Sequence, residues 1–224
     1  GMRFVTALLT DAIKKIPIYA DIVVSKLLGG THYKSKSDIL REIFLWTMKK
    51  IKIDRVIADA HYVSAVFFQE IIDLGSNFLM KISRSRRVTI NRKTGQLRNL
   101  LKLEKNSHSK TMAGEFQGVR CFFHVVKIDK NKTSYFITND EISTIELMKL
   151  YKIRWNIETF YSVGKQHLGM GECQSRSSKK QLAHVMQCMS AFAYAGLVRV
   201  KHRLPNIQSA IRFIRTQKPI KIFD

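Results

Sequence analysis

Acidic side chains are scarce in this chain: 17 Asp and Glu stand against 39 Lys and Arg, a formal charge of +22 at pH 7. Long apolar runs are missing as well. None reaches the roughly 20 residues of a membrane-spanning helix, and the N-terminus lacks the charged-then-apolar pattern of a signal peptide, so the expected setting is cytoplasmic with no membrane partner. The three cysteines, Cys121, Cys173 and Cys188, are an odd number without the paired spacing of a metal site, and are most simply read as reduced thiols. Repeats and low-complexity segments are absent. With 224 residues and 45% hydrophobic composition, the chain can bury one substantial core.

What the chain has in excess is positive charge, and it is spread along the sequence instead of sitting in a tail. Lys49 and Lys50, Lys81 with Arg84, Arg86 and Arg87, Lys179 and Lys180, and Arg199 to Arg203 all contribute. That is the electrostatic footprint of a phosphate binder. Charge alone does not separate a DNA enzyme from a structural RNA binder.

One constellation does. Tyr151, Arg154, Glu158 and Lys165 are separated by two, three and six residues. At about 100° per residue they fall within an arc of roughly 60° on an uninterrupted α-helix. Leu150, Ile153, Ile157, Phe160, Gly164 and Leu168 fall opposite, the stripe such a helix needs for packing. Ser143 with Glu146 supplies a capping box at its start. The plain alternative is an amphipathic helix whose charged face is merely solvated, but a structural RNA binder has no reason to align these four residues.

This spacing resembles the Tyr-x2-Arg-x3-Glu-x6-Lys signature of the DDE transposases encoded by bacterial insertion sequences. Tyr135 to Asn139 before the helix, Arg154-Trp155 and Ile157-Glu158 within it, and Lys165-Gln166 with Gln174-Ser175-Arg176 after it are also similar to that family's catalytic region. Arg55 to Ser64 resembles its strand-Asp-x-x-Tyr-x-Ser element, on Asp59, Tyr62 and Ser64. The apolar run Val56-Ile57-Ala58 reads as a strand buried on both faces, with Asp59 at its end, where α/β sheets place ligands. The competing reading is that Asp59 caps the following helix, together with Ser64. His61 reads as a neighbour and not a ligand, because Mg²⁺ prefers oxygen.

The resemblance implies an α/β, ribonuclease-H-like (retroviral-integrase-like) fold, a mixed sheet flanked by helices with a β-rich insertion. It implies cleavage of a DNA strand at an element end and transfer of the freed 3′-OH to target DNA. Asp59 and Glu158 are then catalytic carboxylates and ligands of Mg²⁺ or Mn²⁺ in a two-metal site. Tyr151, Arg154 and Lys165 hold the DNA end, and Trp155 either packs or stacks on a base. Arg84, Arg86, Arg87 and Arg92 are candidate phosphate contacts, although a solvated hairpin shows the same residues. The implied partners are transposon-end and target DNA, bound by a homodimer, in the bacterial cytoplasm at the nucleoid.

The family uses a third carboxylate, from the first strand of its catalytic domain. Gly1 reads as a cloning remnant, and residues 3 to 10 align with the family's second strand, with Pro17 to Ser25 as the third. The first strand and its Asp then lie outside the chain, which makes it N-terminally truncated and its activity doubtful. In the competing alignment residues 3 to 10 are the first strand and Asp11 is that carboxylate, although Asp11 to Lys15 also reads as a polar hairpin turn. Two further functions stay open: a non-catalytic DNA-binding remnant, and a metal-dependent nuclease of the same fold that performs no strand transfer.

The expected organisation is the first part of the catalytic core over 2–83, a β-rich insertion over 84–140, the C-terminal helices of the core over 141–204 and a basic tail over 205–224. Within the first part, a hairpin closing at Gly29-Gly30 leads to a helix opened by Ser37 or Asp38 and ending near Lys50. The strand to Asp59, a helix from Ser64 to Leu74 stopped by Gly75, and a strand at Phe78 to Ile82 follow. In the insertion, strands are expected near Val88, Leu97 to Leu103, Val119 to Ile128 and Thr133 to Thr138. Turns are expected at Thr94-Gly95, Ala113-Gly114 and Lys130-Asn131. A Met- and aromatic-rich core helix runs from about Lys179 to Lys201, Pro205 ends it, and Ile207 to Arg215 forms a short basic helix.

Overall fold

The computed structural model describes residues 3–11, 14–23, 34–129 and 132–217. The expected turns at Gly29-Gly30 and Lys130-Asn131 lie outside those residues. The chain folds as two compact units, one from residues 34–154 and one from residues 1–33 with 155–224. Among the described residues no helix is long and apolar enough to cross a membrane.

The 34–154 unit is built on a seven-stranded sheet, ordered β3 (Arg55–Ala58), β4 (Asn77–Ile82), β9 (Lys132–Thr138), β8 (Val119–Asp129), β7 (Ser109–Phe116), β5 (Arg87–Ile90) and β6 (Lys93–Gln96). Its first helix, α1 (Lys36–Met48), starts earlier than expected because Ser35 and Asp38 cap each other. The Asp38 amide donates to Ser35 Oγ (3.2 Å), and the Ser35 amide donates to Asp38 Oδ2 (3.0 Å). β3 (Arg55–Ala58) runs parallel to β4 (Asn77–Ile82), and α2 (Ala65–Asp73) forms the crossover that a parallel pair requires. Helix α2 stops at Gly75, whose φ of 71° lets the Gly75 and Ser76 amides turn back onto Ile72 and Ile71. Below it the rings of Phe68 and Phe78 stack with centroids 3.9 Å apart, at the centre of a core of fully buried aromatic and aliphatic side chains.

The segment expected as an insertion joins this same sheet. β5 (Arg87–Ile90), β6 (Lys93–Gln96), β7 (Ser109–Phe116), β8 (Val119–Asp129) and β9 (Lys132–Thr138) are antiparallel neighbours, and β9 pairs directly with β4. Three local expectations are corrected. The β5–β6 turn is Asn91-Arg92, both at positive φ, and not Thr94-Gly95, which lies in β6. Residues Leu97–Leu100 form a short helix, α3, in place of a strand. Gly114 lies inside β7 and makes no turn; a methyl group there would run into the Thr89 carbonyl of β5, so the glycine permits close approach of two backbones. The β7–β8 turn is Gln117-Gly118, with φ of 50° and 87°, the conformation a tight hairpin requires.

The long helix expected to carry the signature is two helices. α4 (Thr144–Lys152), capped by the Ser143 side chain, ends the 34–154 unit, and α5 (Trp155–His167) belongs to the other. At the break the Ile153 and Arg154 amides reach the carbonyls of Leu150 and Tyr151, three residues back, the tighter 3₁₀ pattern. The buried positions explain it. α4 buries Leu147 and Tyr151, whereas α5 buries Phe160, Val163 and Gly164. On one straight helix Tyr151 and Phe160 are about 180° apart, so no single stripe serves both cores.

In the other unit, β1 (Arg3–Thr10) and β2 (Lys15–Val23) form an antiparallel hairpin. Its register slips at Leu8 opposite Pro17, a residue with no amide to donate. Helix α5 packs with α6 (Ser178–Lys201) and α7 (Ile207–Thr216), and Phe160 meets Phe192 edge-on at 5.1 Å. Thr6 Oγ1 and Tyr161 Oη share a 2.7 Å hydrogen bond that ties the hairpin to α5.

Candidate active site

Asp59 directly follows β3, at the C-terminal end of the parallel pair β3 and β4. Its backbone starts a 3₁₀ turn over Ala60–Tyr62, but its side chain makes no capping bond there, and neither does that of Ser64 at the start of α2. Capping therefore does not account for either residue. The carboxylate faces α4 and the helix break instead: Tyr151 Oη donates to Asp59 Oδ1 at 3.1 Å, and Arg154 Nη1, in the break, lies 3.5 Å from Oδ2.

The helical arc puts Tyr151 on an exposed face. Tyr151 is buried, with its ring edge-on to Phe136 of β9 at 4.8 Å between centroids. The Arg154 guanidinium sits 5.4 Å from the centre of the same ring, near enough for a cation–π contribution. Burial, and then the negative charge of Asp59, hold the phenol well above the usual tyrosine range, so Tyr151 stays a neutral donor at any working pH. Arg154 is held tightly, with a side chain 16% exposed, while Asp59 remains 46% exposed. A half-open carboxylate is thus clamped from behind by a phenol and a guanidinium.

The other named residues occupy distinct places. Arg84 and Arg86 are exposed in the turn after β4, and Arg87, also exposed, opens β5, at the same C-terminal sheet end as Asp59. Glu158 lies in the first turn of α5, where the positive end of the helix favours a carboxylate, and Lys165 is exposed in its last turn. Both belong to the unit of residues 1–33 and 155–224, and Asp59 to the other. Asp11 lies at the hairpin turn after β1, its Oδ1 accepting the Lys14 amide at 2.7 Å. Trp155, which opens α5, is 59% exposed.

One polar cluster has no sequence signal. At the N-terminal end of β3, Arg55 donates from Nη1 and Nη2 to both oxygens of Asp140, at 2.9 and 2.6 Å, and Thr138 Oγ1 also bonds Asp140. Burial works against the Asp140 charge, but the bonds from Arg55 and Thr138 outweigh it and hold the carboxyl below its usual range. The neighbouring Asn139 accepts the Phe78 amide at 2.8 Å, joining the end of β9 to the start of β4. Arg55 and Asp140 lie 85 residues apart in the chain, so no local pattern announces the pair.

In donor type the two candidate carboxylates suit a hard cation, since Asp and Glu oxygens are what Mg²⁺ and Mn²⁺ select. Among the described residues no three His, Cys, Asp or Glu side chains gather into a metal-holding group. The 34–154 unit by itself contributes Asp59.

The fold as a whole matches a solved structure of the piggyBac transposase in a synaptic complex with hairpin DNA, at a TM-score of 0.63 and 13% sequence identity. That match covers 96% of this chain and 45% of the other, so the chain spans less than half the length of that relative. No curated protein matches the sequence. The α/β architecture is ribonuclease-H-like: a mixed sheet flanked by helices, with Asp59 at the carboxyl end of a parallel strand. Residues 27–194 match the family described as the transposase DDE domain, a stretch that includes Asp59, Glu158 and the whole signature; the chain belongs to that family.

Proposed function

We propose that this chain is the catalytic domain of an insertion-sequence transposase, cutting a DNA strand at the element's end and joining the freed 3′-OH to target DNA. The observation that carries the reading is the Asp59 carboxylate at the end of β3, clamped by Tyr151 and Arg154 of the signature. A bound pair of divalent ions would stabilise charge on the attacking and leaving oxygens of an in-line displacement. Asp59 and Glu158 are the residues to hold them.

The protein's own contribution is positioning. Tyr151 and Arg154 fix the Asp59 carboxylate from one side and leave the other open to solvent. Lys165 and the exposed Arg84, Arg86 and Arg87 supply cations for the phosphates of a DNA end. The formal charge of +22 supports a nucleic-acid partner, and a homodimer holding paired ends fits the family's way of working.

The test is a nicking assay on DNA carrying an element end, with Mn²⁺. Glu158→Ala is expected to abolish nicking and leave DNA affinity unchanged or slightly raised. Nicking that survives the substitution defeats the site assignment. DNA binding by the unsubstituted protein with no nicking in either Mg²⁺ or Mn²⁺ selects the non-catalytic DNA binder, and nicks without joined products select the nuclease.

A further inference from the structure

From Ser83 to Arg98 the chain carries six cations, Arg84, Arg86, Arg87, Arg92, Lys93 and Arg98, and no Asp or Glu. Most of that segment is the two-stranded ribbon β5–β6, with β6 at the border of the sheet of the 34–154 unit. Val88 and Ile90 are buried in the core of that unit, so strand alternation turns Arg87 and Thr89 of β5 outward, beside Gln96 and Thr94 of β6. We propose that this ribbon enters the major groove of duplex DNA and reads base edges with Thr89, Thr94 and Gln96. The inference rests on the DNA-binding reading above and adds which part of the duplex is read and by which side chains.

The dimensions and the chemistry fit. A four-residue strand is about 13 Å long, and the major groove of B-form DNA, about 12 Å wide, admits a two-stranded ribbon. Exposed cations stand at both ends of this one, Arg84, Arg86 and Arg87 at its base and Arg92 and Lys93 at its tip, one set for each phosphate wall. None of these five enters an ion pair among the described residues. Between them the outward groups are neutral. Thr89 Oγ1 and Thr94 Oγ1 share a 2.8 Å hydrogen bond, and Gln96 Oε1 accepts Arg98 Nε at 2.9 Å, which leaves the Gln96 amide nitrogen as a donor. Cations on phosphates set position, whereas neutral donors and acceptors on base edges carry sequence. The acid on the adjoining strand, Glu115 of β7, lies across from Thr89 on one side and from Arg120 of β8 on the other.

The turn carries a cost that this reading explains. Asn91 and Arg92 have φ of 51° and 62°, a conformation that two-residue hairpin turns give most readily to Asn-Gly. Arginine in the second position is strained, and it puts a cation at the tip where glycine would put none. The deep, narrow major groove of A-form RNA is closed to side chains, so B-form DNA is the occupant. Sequence readout is of use at an element's end, whose sequence is fixed, and only residues 83–86 separate the ribbon from the end of β4 beside Asp59.

The whole chain is used to select from a random-sequence DNA duplex library, and the affinities of the enriched and starting duplexes are compared. Thr94→Ala/Gln96→Ala, which changes no charge, should lower the preference for the enriched duplex by about tenfold and leave the slope of log K against log[salt] unchanged. Arg84→Gln/Arg86→Gln should weaken both duplexes alike and lower that slope by about 1.8, at about 0.9 per phosphate. Methylation interference on the enriched duplex should fall on guanine N7, in the major groove, and not on adenine N3, in the minor.

A preference that survives Thr94→Ala/Gln96→Ala, interference confined to adenine N3, or a library with no enriched sequence overturns the proposal while DNA binding stands. A chain that binds no duplex defeats the DNA-binding reading and the ribbon with it. Should the double variant fail to fold, Arg92→Gly decides, since glycine suits the turn: melting should hold or rise while the salt slope falls by about 0.9, and an unchanged slope overturns the proposal.

Discussion

β3 ends in a carboxylate–arginine pair at each extremity, and the two are built differently. At its N-terminal end Arg55 grips both oxygens of Asp140, with side chains 16% and 26% exposed. At its C-terminal end Arg154 approaches one oxygen of Asp59 at 3.5 Å, and Asp59 stays 46% exposed. A bidentate pair engages both oxygens of its carboxylate and locks two chain segments together. A single long contact orients a carboxylate while leaving it room for another ligand. The same residue types thus perform a structural task at one end of a strand and a ligand-presenting task at the other.

Paired substitutions test this contrast most severely. Asp59→Asn is expected to lower metal-dependent nicking by at least about a hundredfold, since metal-assisted charge stabilisation amounts to several kcal/mol, with melting changed little. Asp140→Asn should do the reverse, leaving nicking by the folded protein intact. Equal effects of the two on nicking would erase the distinction between the ends.

Acid should reveal the buried polar groups around Asp140 next. His124 of β8 is fully buried, sharing a 2.8 Å hydrogen bond with Thr111 Oγ1, and its Nε2 has no hydrogen-bond partner. Burial lowers its pKa to about 4 from 6.5, against a weaker opposing pull from Asp140. Below pH 6.5 the unfolded chain therefore takes up a proton that the folded one refuses. Stability is fully present above 6.5 and falls toward pH 4, by about 3 kcal/mol at most. Urea titrations at neutral pH and near pH 4.5 measure the loss, and His124→Gln should flatten it. The Asp140 contribution has the same sign in a separate window. Its folded pKa is depressed, so that contribution is present above 3.8 and disappears only as pH falls further, through the lower folded value.

At neutral pH, Asp140→Asn should cost about 2 kcal/mol, because Arg55 is left with one weak acceptor in a partly buried setting. Asp59→Asn should cost about 0.5 kcal/mol or less, as for an exposed pair. Chemical denaturation of both variants checks the ranking.

These contrasts also mark how far the sequence could be read. Asp59 was legible because Val56, Ile57 and Ala58 end in a carboxylate, and the signature spacing named Tyr151, Arg154, Glu158 and Lys165. The helix break was not, because the 3.6-residue period continues through Ile153 and Arg154. Only the two cores, burying Tyr151 on one side and Phe160 on the other, reveal that the helix must divide. Gly114 misled for a related reason: a glycine required by the approach of Thr89 in another strand looks locally identical to one required by a turn. Arg55 and Asp140 lie 85 residues apart, and their pairing had no local signal at all.

The smallest expected effect is also the one that best isolates the clamp. Tyr151→Phe keeps the ring against Phe136 and under Arg154 and removes only the hydroxyl that donates to Asp59. A hydrogen bond to a charged group contributes about 1.5 kcal/mol net, and relief from burying the hydroxyl offsets part of it. The variant should therefore unfold within about 1 kcal/mol of the unsubstituted protein. If the phenol aims Asp59, nicking should fall by about tenfold, which corresponds to 1.36 kcal/mol, with DNA affinity unchanged. A loss of DNA affinity with nicking per bound complex preserved would mean that Tyr151 serves the DNA directly. The two ends of β3 would then differ in exposure alone, and the clamp would be incidental.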